Sequence, residues 1–116
     1  MEKLDKLKEI LIESEVLEVH TSKATMPSRL PAGVVSLNFM KGTQKLNPGY
    51  LNQKYTFDIH VVVRTSDYAI DELLNLVGEI ARRVQAEFFT DFDKVEFYES
   101  LLRNEDITVA KFEVTI

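Results

Sequence analysis

The sequence predicts an α+β two-layer sandwich, a mainly antiparallel sheet of about four strands with helices on one face. Three observations lead there. Residues 3–17 and 66–88 repeat apolar side chains at three- and four-residue steps, the period of an amphipathic helix. Residues 34–40, 55–65, 94–101 and 106–116 are short and rich in β-branched and aromatic residues, with much apolar–polar alternation. The longest of these carries one apolar and one polar face, the mark of an antiparallel sheet covered on a single side. The expected order is α-β-β-α-β-β in one domain over residues 1–116, with a long hairpin loop at 41–53.

The first helix places Leu4, Leu7, Leu11 and Ser14 on one face, with Ile10 and Leu17 beside them. The stretch HTSKATMPSRLPAG, residues 20–33, has two prolines, a glycine and no period, and reads as a loop. VVSLNFM then alternates, with Val35, Leu37 and Phe39 on one face. In YTFDIHVVVRT, Tyr55, Phe57, Ile59, Val61 and Val63 point one way, and Thr56, Asp58, His60 and Arg64 the other.

Between these two strands lies KGTQKLNPGYLNQ, longer than a hairpin needs. Pro48 and Gly49 suit the second and third positions of a type II turn. A strand from Lys54 to Thr65 is about 40 Å long, whereas a compact chain of this size is about 35 Å across. The paired strands and their loop are therefore expected to overhang the domain.

Ser66 or Asp67 is the expected cap of the second helix, whose first turn carries Asp71 and Glu72. Its stripe runs through Ile70, Leu73, Leu74, Val77, Ile80, Ala81, Val84 and Phe88, with Arg82 and Arg83 near the end. Ile59, Val61, Leu74, Val77 and Ile80 are the expected centre of the core. Val95 and Phe97 should point inward from the next strand. In the last strand Ile107 and Val109 are odd-numbered while Phe112, Val114 and Ile116 are even, which predicts a β-bulge at Ala110–Lys111.

A chain of 116 residues, 45% hydrophobic and 28% charged, is enough for one core. Without cysteine it has no disulfide and no thiolate chemistry. The amphipathic, charged start lacks the apolar run of a signal peptide, and no stretch of 18 apolar residues occurs, so folding in a reducing cytoplasm is the expectation. The net charge of −5 is segregated: from His20 to Phe57 there are five bases and no acid, which leaves nine of the 14 bases against all 19 acids elsewhere. Such asymmetry suits docking between copies, while five scattered bases make a thin nucleic-acid footprint. This run selects Lys41, Lys45, Leu46, Tyr50 and Leu51, with Lys23 and Arg29, as candidate contacts with a partner.

Catalytic patterns are absent from the sequence: no nucleophile elbow, P-loop or dinucleotide fingerprint occurs. Asp58 and His60, two apart on a strand, could share a proton or a metal, with Arg64 on the same face and His20 elsewhere. A polar strand face gives the same pattern, so no catalytic, metal or cofactor-binding residue is assigned and no cofactor is expected.

Three features together resemble the tail terminator and minor tail proteins (tail completion, head–tail joining) of long non-contractile-tailed bacteriophages. These are the helical start leading through a proline-containing loop, the strand FDIHVVVRTSD running into the helix YAIDELLNLVGEIARRV, and the terminal strand ITVAKFEVTI. The resemblance implies a non-enzymatic structural virion subunit without a cofactor. It would form a ring homo-oligomer, typically a hexamer, at the head-proximal end of the tail tube, assembled in the host cytoplasm. There it would end tube polymerisation and present a joining surface. Its partners would be further copies of itself, the tail tube protein and a neck or connector protein, with no membrane and no sequence-specific nucleic acid. Two alternatives are a neck or head-completion connector of similar fold and a nucleic-acid-binding regulatory module using residues 20–54.

Overall fold

A computed structural model describes residues 2–21, 27–41, 54–92 and 94–116. The elements are α1 (Glu2–Glu13), β1 (Glu18–His20), β2 (Ala32–Lys41), β3 (Lys54–Arg64), α2 (Ala69–Phe88), β4 (Glu96–Leu102) and β5 (Glu105–Thr115). The class is α+β, but the sheet is mixed and has five strands in the order β1-β2-β3-β5-β4. β1 is the strand absent from the expected order; it lies parallel to β2, and every other pair is antiparallel. Three residues are too few to show a period, which is why the sequence conceals it.

α1 buries Leu7, Ile10, Leu11 and the following Ser14, as its spacing predicts. It stops there because Ser14 Oγ donates back to the Ile10 carbonyl at 2.7 Å and Glu15 turns to φ 71°. Leu17 lies past this stop and is exposed, contrary to its expected place beside the helical stripe. Its amide instead donates to the Pro31 carbonyl at 2.9 Å, at the start of the β1–β2 pairing.

β2 and β3 pair from Ala32↔Val62 to Lys41↔Lys54. The register shifts between Leu37 and Phe39, so Phe39 is aligned with Thr56 and the continuous Val35–Leu37–Phe39 face is broken at Asn38. Phe57, Ile59, Val61 and Val63 are buried under the helices, as alternation predicts. The opposite face of β3 is less open than expected: Thr56, Asp58 and Val62 are buried there too.

α2 meets the sheet through Leu73, Leu76, Val77, Ile80 and Val84. Leu74, expected in the core, is 52% exposed, and Ile70 is exposed as well. The true stripe is rotated toward Leu76, a residue the reading of the periodicity left out. Ser66 Oγ accepts from the Tyr68 amide at 3.2 Å and so shapes the turn before the helix, whose N-cap position is Tyr68 without a side-chain cap. Arg82 and Arg83 fall short of the last turn and serve pairing: both reach Glu79, and Arg83 Nη1 donates to Glu13 Oε2 at 2.9 Å. With Lys6–Glu87 at 3.3 Å, two ion pairs link α1 to α2.

The bulge expected at Ala110–Lys111 is not there. β5 keeps unbroken register with β3 and with β4 through both residues. The parity change instead reflects two apolar faces. Ala110, Phe112, Val114 and Ile116 join the helix-covered core, while Ile107 and Val109 form a second cluster with Val62, Leu30 and Leu102 across the sheet. β4 is exposed along nearly its whole length, including Phe97, which was expected inward, because the helices pack over β1, β2, β3 and β5 and not over β4. The β4–β5 turn has Arg103 and Asn104 both at positive φ, the geometry of a two-residue hairpin. The molecule is elongated, 51 × 27 × 21 Å, with a radius of gyration of 14.9 Å against about 13 Å for a compact chain of this length.

Candidate subunit interface

Of the residues singled out for partner contact, Lys23, Lys45, Leu46, Tyr50 and Leu51 lie outside the described residues, as does the expected turn at Pro48–Gly49. Lys41 is the last residue of β2, in register with Lys54. Arg29 is exposed on the segment entering β2, where its Nη2 approaches the Leu17 carbonyl at 3.5 Å.

That segment is organised by Glu18. Its carboxylate accepts the backbone amides of Arg29 at 2.8 Å and Ser28 at 3.0 Å, the Ser28 hydroxyl at 3.1 Å, and contacts His20 Nε2 at 2.9 Å. The Arg29 amide first, then Ser28 and His20, hold the Glu18 carboxyl down at about 2. A three-residue strand thereby pins the crossover between two parallel strands, and sets Arg29 and Leu30 facing the far ends of β3 and β4.

The result is a cleft of about 440 Å³. Leu17, Leu30 and Leu102 give it an apolar lining, and three arginines (Arg29, Arg64 and Arg103) share its charged rim with Glu72 and Glu105. Arg64 pairs with Glu105 at 3.2 Å. Arg29 and Arg103 have no ion pair among the described residues. No period or motif of the chain points to this cleft, since its lining comes from five separate segments.

β4 forms the edge of the sheet. It pairs with β5 alone, and among the described residues no strand lies along its outer side. Phe97, Tyr98 and Leu101 are exposed on it, with Glu96 and Glu99 on the same strand. An open edge with apolar side chains is a surface that natural sheets usually cover or disrupt.

Register brings the candidate metal residues closer than the sequence suggested. His20 is aligned with Val34 and Val34 with His60, so both histidines lie on the face away from the helices, two strands apart. Two strand spacings are about 10 Å, with Val34 between them. Asp58 is buried and accepts from Asn38 Nδ2 at 3.2 Å. Among the described residues no three His, Asp or Glu side chains are grouped as a metal site. Nor, among them, is any helix long and apolar enough to cross a membrane.

No family model matches the chain, and no curated protein matches it.

Proposed function

We propose that this chain is the structural subunit of a ring at the head-proximal end of a bacteriophage tail tube, ending tube polymerisation and offering the head–tail joining surface. The observation that carries the reading is β4: seven residues of open sheet edge, exposed on both faces, with Phe97, Tyr98 and Leu101 in solvent. A monomer gains nothing from such an edge, whereas a cyclic assembly joins unlike patches of neighbouring copies and closes when the rotation allows. The segregated charge supports the same reading, as it would steer an acidic surface onto a neighbour's basic run. In this reading Lys41 and Lys45 guide approach, and Leu46, Tyr50 and Leu51 supply the buried contact of a hairpin arm. Exposed ion pairs contribute only ~0–1 kcal/mol each, and tyrosine is a frequent interface anchor.

Light scattering and negative-stain images of the purified protein, alone and with tail tubes, test the proposal. Closed rings, or rings formed on tube ends, are the expected result. Replacing residues 46–51 by an Asn-Gly turn should leave the melting of the isolated domain little changed and abolish ring formation or tail completion. A shortened chain that still restores joined tails of normal length to a terminator-deficient phage would sink the role given to the arm. A wild-type chain that neither assembles nor caps tubes would sink the ring itself.

A further inference from the structure

Phe89 is the most exposed large apolar side chain in the described structure, at 84%. It occupies the left-handed region, φ 56° and ψ 37°, as the C-cap of α2, with its amide donating to the Gln85 carbonyl. Glycine usually fills that position because a bulky side chain is strained there. A phenylalanine that is strained in backbone and bare in solvent brings no benefit to the fold that carries it. Glu87 and Asp91 flank it, both exposed; Glu87 pairs with Lys6 at 3.3 Å, which leaves Asp91 as the acid beside this aromatic knob with no ion pair among the described residues.

The cleft described above has leucines below and three arginines around against two acids, with Glu105 paired to Arg64, so its charge is weakly positive. Glu72 lines it from the first turn of α2. At 1.5 Å per residue, Phe89 is therefore about 25 Å away along the same helix. One molecule cannot bring its own knob to its own cleft. A second copy can.

We propose that Phe89 of one copy seats in the cleft between Leu17, Leu30 and Leu102 of the next, with Asp91 facing Arg29 and Arg103. The inference rests on the ring reading for its partner and specifies how neighbours join. Knob and cleft lie at opposite ends of α2, so the contact is heterologous and leaves a free knob and a free cleft on every open assembly. Arg29 and Arg103, which make no ion pair among the described residues, gain an acid, and Phe89 loses its exposure to water.

Two variants that leave the core untouched test it, Phe89→Lys and the double change Arg29→Glu with Arg103→Glu, each checked by an unchanged melting profile. Sedimentation across a titration to millimolar concentration should show higher assemblies for the wild type and monomers for either variant alone. Phe89→Ala should weaken association by about 30-fold, as for a central aromatic anchor. Mixing the two monomeric variants is decisive: one keeps its cleft and the other its knob, so the mixture should give a dimer and stop there. The inference is overturned if either variant assembles like the wild type, if the mixture stays monomeric, or if the wild type itself never associates. Rings in which both variants still take part would refute this contact and leave the ring reading standing. Open fibres that depend on Phe89 would do the reverse.

Discussion

Leu73 and Leu74 are consecutive on α2, chemically identical, and opposite in environment: Leu73 is 0% exposed and Leu74 is 52% exposed. Leu73→Ala removes a side chain packed into the helix–sheet core and leaves a cavity, at a cost of about 2–5 kcal/mol. Leu74→Ala loses only part of a transfer term worth about 1.5–3 kcal/mol, with no enclosed cavity, so about 1 kcal/mol or less is expected. For a domain of this size about 1 kcal/mol moves the melting temperature by about 4 °C, which separates the two variants by several degrees. Urea titrations followed by circular dichroism give both values, and equal slopes confirm that the shift is in stability rather than in the unfolded state. Equal losses, or a larger loss at Leu74, would refute the helix orientation and restore the stripe that periodicity alone suggests.

Gly33→Ala tests the fit of α1 against β2, because an added Cβ would lie 2.5 Å from Leu11 Cδ2 and 3.4 Å from Val16 Cγ1. Leu11 is fully buried, so the overpacking should cost about 1–3 kcal/mol in denaturant; a neutral change would mean that α1 is not seated there. Glu18 has a folded-state value near 2 against 4.5 in the unfolded chain. Its contribution is therefore complete above about pH 4.5 and is lost as the pH falls toward 2. Urea midpoints measured at pH 7 and pH 3 should fall less in Glu18→Gln than in the wild type, and parallel profiles would contradict the carboxylate's role in holding residues 28 and 29. Titration with zinc, nickel or manganese should give no stoichiometric micromolar binding. A one-to-one site lost in His60→Ala would overturn the reading of Asp58 and His60 as non-ligating.

The sequence by itself determined the class and most of the elements. Both helices and the four longer strands are legible because each runs through two or more repeats of its own period, so that burial on one side leaves a pattern in the chain. It also determined which way β3 faces, since Tyr55 to Val63 can bury their apolar set in only one register. Tertiary structure decided what depends on neighbours distant in sequence. β1 exists because Glu18 finds the amides of residues 28 and 29, and three residues carry no period of their own. The two apolar faces of β5 look like a bulge in one dimension and become distinct only when Leu30, Val62 and Leu102 cover the second. Leu74 and Leu76 differ by two helical positions, about 200° of rotation, and only the tilt of α2 on the sheet assigns one to water and the other to the core. The cleft at Arg29, Arg64 and Arg103 and the knob at Phe89 follow the same rule. Each residue is ordinary in the chain, and only the fold sets three arginines together at one end of α2 and leaves a bare phenylalanine at the other.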